Sequence, residues 1–233
     1  MFWNTIAILI KEQIREPLTL VWNIIMPLVA FLAFNYQSII DGSRLESETL
    51  FPYIAYAALS LALYSFGVVL IARREAGFFL SMTHTKRSFR LYIIYHMLSI
   101  YVIFIVTFLC LLGAFLLSSG ERDMQAFAAI FFSGSVGFLG LCLVFLGMLF
   151  LPLTLQSAYS FASFVILGSL SLFWFHTTTA SPLVIDFLRF NPISLIASLA
   201  SPDIVNISMI AIYLFAGLAF VLTVKPTPFA RRF

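Results

Sequence analysis

Uncharged apolar stretches of membrane-spanning length recur along this 233-residue chain. A membrane helix needs about 20 consecutive apolar residues, and no Asp, Glu, Lys or Arg lies near the middle of any such stretch here. The predicted spans cover residues 20–40, 50–72, 91–117, 125–151, 157–175 and 204–224. Because 62% of the residues are hydrophobic and only 10% are charged, the polar side chains are too few to coat a water-soluble globule. The sequence therefore predicts an all-α membrane protein, with six transmembrane helices in one domain, residues 1–233.

Residues 1–19 predict an interfacial amphipathic helix ahead of the first span. Four apolar residues share one helical face, namely Trp3, Ile6, Ile10 and Ile14. The basic residues Lys11 and Arg15 lie on another face, and Pro17 ends or bends the helix. A helix of this kind lies in the membrane interface, where its basic side chains meet anionic headgroups. The alternative is that the segment extends the first span. No cleavable signal peptide is evident, because charged residues follow the short apolar start at once.

The placement of basic residues predicts the orientation of the spans. With a cytoplasmic N-terminus, ten of the thirteen Lys and Arg residues fall in cytoplasmic segments. The other three, Arg44, Arg122 and Arg189, fall in outside loops. Because Lys and Arg are enriched in cytoplasmic loops, we expect both termini to be cytoplasmic.

The stretch between the fifth and sixth spans, residues 176–203, is long for a loop and rich in apolar residues. Three prolines divide it into two short pieces, residues 183–190 and 193–200. A helix of eight residues is about 12 Å long, which is too short for a hydrocarbon core of about 30 Å. We expect short re-entrant helices that dip into the outer leaflet or cap the bundle.

Residues 73–90 form the most informative loop. They hold five basic residues, Arg73, Arg74, Lys86, Arg87 and Arg90, with a single acidic one. A loop that only sets topology and rests on anionic lipid is the simplest interpretation. The apolar residues Phe78, Phe79, Leu80 and Met82 instead favour a short amphipathic helix that docks on a cytoplasmic partner.

Several kinds of chemistry are missing from the sequence. No Gly-rich phosphate loop is present, so the chain cannot hydrolyse ATP alone. The absence of charge inside the spans argues against a transporter driven by an ion gradient. His84, His96 and His176 lie in different segments without metal-ligand spacing, and we expect them to be interfacial. Cys110 and Cys142 fall inside apolar runs and are expected to pack there. We therefore predict no enzyme activity, no bound metal or cofactor and no nucleic-acid partner.

In order and spacing, these features resemble the membrane subunit of an ABC exporter of the type-2 permease class. The resemblance covers nearly the whole chain. The interfacial helix ends in Arg-Glu-Pro at residues 15–17 and leads into a first span that contains Pro27. Residues 73–77, Arg-Arg-Glu-Ala-Gly, are similar to the family's acidic-then-glycine signature. Residues 191–194, Asn-Pro-Ile-Ser, are similar to its Asn-Pro-Leu-Ser/Thr element.

The resemblance implies a permease subunit of the bacterial inner membrane that exports an amphipathic cargo such as a peptide, a drug or a lipid-like molecule. It implies two protein partners, a second permease copy (identical or related) and a separate cytoplasmic ABC ATPase that would hold ATP and Mg. It makes residues 73–90 the loop that couples to the ATPase, residues 176–203 an extracellular re-entrant segment, and spans one, two and five the lining of the transport path or the dimer seam.

The same resemblance assigns roles to individual residues. The ATPase-coupling residues would be Arg73, Arg74, Glu75, Gly77, Phe78, Phe79, Thr83 and His84. Asn191 and Pro192 would form the re-entrant turn, and Lys11, Arg15 and Pro17 would belong to the interfacial helix. The chain departs from the family's pattern after the coupling helix, where Thr83-His84 replaces the usual Thr-Pro or Ser-Pro.

Two other functions fit a chain of this size. A membrane component that captures a small molecule, without acting as an export permease, would bring polar residues together between the spans. The candidates for that role are Asn23, Asn35, Gln37 and Gln156. A membrane-embedded enzyme would instead use His84 or His96, and it would need no ATPase.

Overall fold

The computed structural model describes residues 2–16, 20–41, 45–79, 86–119, 123–178 and 191–197 of the chain. These residues form helices and connecting turns, with no β-strand among them. Four of the described helices are long and apolar enough to cross a membrane. The chain is therefore an α-helical membrane protein, as its sequence predicts. The predicted sixth span and the piece at residues 183–190 lie outside the described residues.

The described helices follow the order of the predicted segments. They are α1 (Phe2–Arg15), α2 (Val21–Phe34), α3 (Tyr36–Ile40), α4 (Ser47–Glu75), α5 (Lys86–Ser119), α6 (Met124–Phe145, continued by a 3-10 turn at Leu146–Phe150), α7 (Leu155–Thr178) and α8 (Pro192–Ala197). Helices α4 to α7 are the four with membrane-spanning length.

Helix α1 packs along α5, and its residues Ile6, Leu9 and Gln13 are buried. The predicted apolar face is therefore divided. Ile6 packs inward, whereas Trp3 and Ile14 are 76% and 53% exposed. Ile6 lies 60° from Trp3 around the helix at 100° per residue, so the apolar residues span two adjacent stripes. One stripe packs against the protein and the other points away from it.

The first predicted span is interrupted. Helix α2 runs for 14 residues as far as Phe34, and α3 follows after a break at Asn35. The Asn35 side-chain amide donates to the Phe31 carbonyl oxygen at 2.9 Å, and such side-chain bonds compete with the backbone ladder of a helix. At 1.5 Å per residue, α2 alone is about 21 Å long and does not cross the hydrocarbon core. The first span is therefore not among the four long apolar helices.

Helix α4 is the centre of the bundle and packs against α5, α6, α7 and α8. Its most apolar window is 89% buried, compared with 22% for α7 at the periphery. Half-way along α4, the backbone forms a π-helix at Leu61–Val68. A shorter π-helix, Val21–Ile25, begins α2 just before Pro27. Proline has no N–H for an i→i−4 bond, which explains why the α-helical ladder changes there.

Glycines allow α6 to approach its neighbours closely within the chain. A Cβ atom added at Gly134 would lie 2.7 Å from Ile54 Cγ2 on α4. One added at Gly137 would lie 2.6 Å from Ile196 Cγ1 on α8. Small residues permit such contacts between membrane helices. Gly134 and Gly137 therefore serve packing within one subunit.

Candidate functional site

Gly77 ends α4 and places three consecutive charged residues in the last turn of the helix. Its φ angle is +69°, a left-handed conformation that glycine adopts without strain. Its N–H donates to the Arg74 carbonyl oxygen at 3.1 Å. Basic side chains at this end also complement the partial negative charge of the helix C-terminus. Arg73, Arg74 and Glu75, here called the charged junction, each bind a different part of the chain.

Arg73 links α4 to the N-terminal helix. Its guanidinium group forms an ion pair with the carboxylate of Glu12 on α1. The guanidinium carbon also lies 4.7 Å from the ring centroid of Phe78, which is a cation–π distance. The end of α4 is thereby attached both to α1 and to the segment that follows Gly77.

Arg74 links α4 to the turn between α6 and α7. Its guanidinium group donates to the carbonyl oxygens of Leu149 at 2.8 Å and Leu151 at 2.7 Å, and also to that of Leu153. Carbonyl groups at the end of a helix have no partner within the helix, and a planar guanidinium can bind several of them at once.

Glu75 caps the start of α7. One of its carboxylate oxygens accepts a hydrogen bond from the backbone N–H of Leu155, the first residue of that helix, at 3.1 Å. A carboxylate at a helix N-terminus satisfies a free N–H group and is stabilised by the positive end of the helix. The charged junction therefore connects α4 to α1, to the end of α6 and to the beginning of α7.

Phe78 and Phe79 fold back onto the first turns of α5. The ring of Phe78 lies 5.1 Å from that of Tyr92, and the ring of Phe79 lies 5.2 Å from that of Phe89. These are normal distances for packed aromatic pairs. Both phenylalanines are partly exposed.

An open groove of about 760 Å³ begins beside the charged junction. Its lining combines a carboxylate, hydroxyls, an amide and a phenol, contributed by Glu75, Thr154, Leu155, Gln156, Tyr159 and Ser160. Deeper along α7, the hydroxyls of Ser163 and Tyr64 on α4 lie 2.8 Å apart. The first turns of α7 therefore carry a polar face that leads from the junction towards the middle of the bundle. A second groove, of about 590 Å³, is almost wholly apolar and lies between α2, α3 and α5.

The other predicted site residues lie apart from the junction or outside the described residues. Pro17, Thr83 and His84 are among those not described. Lys11 and Arg15 are exposed on α1. Asn191 and Pro192 begin the short helix α8, where the Asn191 side-chain oxygen accepts from the Ile193 N–H at 3.1 Å and its amide donates to the Ser169 carbonyl oxygen at 2.9 Å.

The side chains proposed for the alternative functions do not converge. Asn23 and Asn35 lie twelve residues apart on one helical stretch, or about 18 Å. Gln37 and Gln156 are exposed. His96 is not interfacial as expected; it is 1% exposed, because its ring is packed between those of Phe66 and Tyr92. Among the described residues, no three His, Cys, Asp or Glu side chains form a group that could hold a metal ion.

Comparison with known proteins gives a partial likeness. The chain is 28% identical over 89 residues to Protein McbE of Escherichia coli. The aligned region is 37% of this chain and 37% of that protein, so the likeness extends over little more than a third of either. No family model matches the chain, and no solved structure matches it.

Sequence reasoning singled out the charged junction but missed its partners. Glu12 is one of two acidic residues on the N-terminal segment, and nothing in the sequence distinguishes it from Glu16. Its position offers a weak signal for a contact with the bundle, because Glu12 is next in sequence to Gln13, which is buried. The carbonyl oxygens that bind Arg74 belong to the backbone, which carries no residue-specific signal at all.

Proposed function

We propose that the chain is the transmembrane permease subunit of an ATP-driven exporter of the ABC type, with ATP hydrolysed by a separate cytoplasmic subunit. The observation that carries the proposal is the charged junction. A soluble motor must move membrane helices through a part of the permease that it can reach. In this chain, the end of α4 beside residues 73–90 is attached to three other elements through Glu12, Leu155 and the carbonyl groups around Leu151.

The arrangement supports transmission of force from the loop. A displacement of Gly77 and Phe78 would pull on Arg73, Arg74 and Glu75 together, because all three lie in the last turn of α4. Through their contacts, that displacement would reach α1, the end of α6 and the start of α7. ATP can drive such a change only by binding one of two conformations more tightly than the other.

The cargo proposed for this path is an amphipathic molecule. The open groove beside Glu75 offers hydroxyl, amide and phenol groups, and it lies at the start of α7, whose exposed side chains further along are apolar. A molecule with a polar head and an apolar body could contact both. The same proposal includes a second copy of the permease, placement in a bacterial inner membrane and cytoplasmic termini. They are supported by the resemblance of the sequence motifs and by the distribution of Lys and Arg.

The test is to purify the tagged chain from its native host in a mild detergent and to identify what accompanies it by mass spectrometry. The expected result is a stoichiometric ATPase that contains a phosphate-binding loop. Glu75→Gln should then lower the cargo transported per ATP hydrolysed. Glu46→Gln is the matched control, since Glu46 is an exposed glutamate just before the other end of α4. A monomer without an ATPase, or equal coupling in both variants, would refute the proposal.

A further inference from the structure

Four helices bring polar side chains together inside the bundle. Asn23 lies in the π-helix of α2 and Ser65 in the π-helix of α4. The Asn23 amide donates to the Ser65 hydroxyl at 2.7 Å, and both residues are completely buried. π-helical segments are rare and occur mostly at functional sites. Here two of them face each other through a polar pair.

Two further elements complete this buried polar cluster. Gln13 of α1, which is 3% exposed, lies with its amide nitrogen 3.5 Å from the Ser65 carbonyl oxygen. On α5, His96 stacks on Phe66, the neighbour of Ser65, with 5.8 Å between ring centroids. The imidazole also lies beside the Ser65 backbone. We define the polar cluster as Gln13, Asn23, Ser65 and His96.

The polar cluster contains buried atoms that nothing else in the described residues satisfies. These atoms are Gln13 Oε1, Asn23 Oδ1 and both ring nitrogens of His96. Exchanging O and N in either amide does not remove the problem, because each amide would then present an unpaired N–H group instead. An unsatisfied buried polar group costs about 1–3 kcal/mol, and native structures hold few of them. Four unsatisfied atoms on three residues around Ser65 require an explanation.

We propose that the polar cluster is a binding site for ordered water inside the helical bundle. A buried water typically makes about three hydrogen bonds to otherwise unsatisfied polar groups. The cluster offers two amide oxygens as acceptors, and an imidazole that donates from one nitrogen and accepts at the other. Two or more water molecules can satisfy all of these groups, because each water donates two hydrogen bonds and accepts two. A metal cation does not fit as well, because no carboxylate or thiolate belongs to the cluster.

Bound water also accounts for the presence of polar side chains at this buried position. The stack of Phe104 on α5 and Phe138 on α6 is fully buried, with 5.4 Å between ring centroids, and contains no polar atom. In lipid, polar groups must be satisfied within the protein or by trapped water. Other buried hydroxyls of the bundle, such as those of Ser99 and Ser133, bond to carbonyl oxygens of their own helices. The polar cluster differs from them because several of its atoms have no partner among the described residues. The inference is independent of the proposed transport function.

Radiolytic hydroxyl-radical footprinting of the full chain in lipid nanodiscs tests the proposal. Radicals generated from bound water oxidise adjacent side chains even when bulk solvent cannot reach them. We expect oxidation of His96 and Phe66 to be several-fold faster than oxidation of Phe104 and Phe138. Equal rates for the two pairs of residues would overturn the proposal.

Rapid mixing with ¹⁸O-water before the pulse separates bound water from bulk solvent. Bound water exchanges slowly, so the oxygen added at His96 should still be ¹⁶O at short mixing times. Immediate incorporation of ¹⁸O would show that solvent reaches the cluster by opening, and it would overturn the proposal. Asn23→Leu should cause a several-fold loss of oxidation at His96. The wild-type experiment remains decisive if that variant does not fold.

Discussion

Glu12 on α1 and Arg73 at the end of α4 form an ion pair that joins the N-terminal helix to the centre of the bundle. Both side chains are partly exposed, and pairs of this kind contribute about 0.2–1 kcal/mol. The ion pair is therefore too weak to hold α1 in place alone. The buried residues Ile6 and Leu9 hold α1 against α5, and the ion pair fixes which residue of α4 it meets.

A double-mutant cycle on this ion pair should give a small coupling that depends on salt. We expect Glu12→Gln and Arg73→Gln each to lower the free energy of unfolding slightly, with a coupling of about 0.2–1 kcal/mol. Unfolding in detergent, followed by circular dichroism, measures it. The coupling should fall at high ionic strength, because exposed charges are screened. A coupling that is zero at low salt would show that the two charges do not interact.

Replacing Arg74 with lysine should destabilise the chain although the charge is kept. An ammonium group cannot reproduce the planar fork that binds three carbonyl oxygens, so at least one of them is left unpaired. Hydrogen bonds to charged groups contribute about 1.5–3 kcal/mol, and we expect a loss of that order in the free energy of unfolding.

Arg73→Lys is the matched control for this substitution. It changes the neighbouring arginine, whose ion pair with Glu12 a lysine can retain, and it should be nearly neutral. If Arg73→Lys costs as much as Arg74→Lys, the binding of the carbonyl groups is not the source of the effect.

How much of this structure the sequence predicts depends on the physical signal behind each feature. The second span, expected at residues 50–72, lies within α4, because a long uncharged apolar run is itself the requirement for crossing a membrane. The first span was expected to be continuous from residue 20 to residue 40, but it breaks at Asn35. Four residues with polar groups, Asn-Tyr-Gln-Ser at residues 35–38, mark the break, and the Asn35 amide bonds there to the Phe31 carbonyl oxygen. A pattern taken over the length of a whole span does not resolve so short an interruption.

The charged junction could be predicted from the sequence, but the polar cluster could not. Arg73, Arg74 and Glu75 were recognised because charge is conspicuous beside an apolar span. Gln13 and Ser65 are ordinary polar residues in the sequence, and only the packing of α1 on the bundle brings them together. Contacts between residues distant in the chain leave no trace in one sequence when the groups involved are amides, hydroxyls and backbone carbonyls.

Adding a methyl group at Gly137 should destabilise the packing of α6. The new Cβ atom would lie 2.6 Å from Ile196 Cγ1, which is far inside van der Waals contact. We expect Gly137→Ala to cost about 1–3 kcal/mol in thermal or denaturant unfolding, as over-packing usually does. Gly113→Ala on α5 is the matched control, because nothing lies within 4 Å of its added Cβ atom.

The Gly113 control should be neutral or slightly stabilising, since alanine is the better helix former by about 1 kcal/mol. Combining Gly137→Ala with Ile196→Ala should recover part of the lost stability by removing the clashing atoms. A Gly137→Ala variant as stable as the wild type would contradict the close approach of α8 to α6.

The buried pair of Asn23 and Ser65 should respond differently to one substitution and to two. Ser65→Ala alone leaves the Asn23 amide without the hydroxyl acceptor, and we expect a loss of about 1–3 kcal/mol. The double variant Ser65→Ala/Asn23→Leu removes both polar groups and should be more stable than Ser65→Ala. Ser99→Ala is the matched control, because among the described residues that buried hydroxyl bonds only to the His96 carbonyl oxygen of its own helix.

Cysteine labelling tests which residues share one side of the membrane. The contacts of Arg74 place Thr154 at the same end of the bundle as the last turn of α4, and Glu12 on α1 meets that turn as well. Met124 begins a helical stretch of 26 residues that ends at Leu149. At 1.5 Å per residue this stretch is about 39 Å long, longer than the hydrocarbon core. We therefore expect Met124 to lie on the opposite side from Thr154.

In a Cys110→Ser background, Thr154→Cys and Lys11→Cys should react with a membrane-impermeant maleimide from one side only, and Met124→Cys should react from the other side. Cys142 is fully buried and should stay unlabelled in the folded protein. The bias of Lys and Arg predicts that the side shared by Thr154 and Lys11 is the cytoplasm. Labelling of those two positions from outside intact cells would reverse the orientation and would place the charged junction where no cytoplasmic ATPase can reach it. Labelling of Thr154→Cys and Met124→Cys from the same side would show instead that α6 does not cross the membrane.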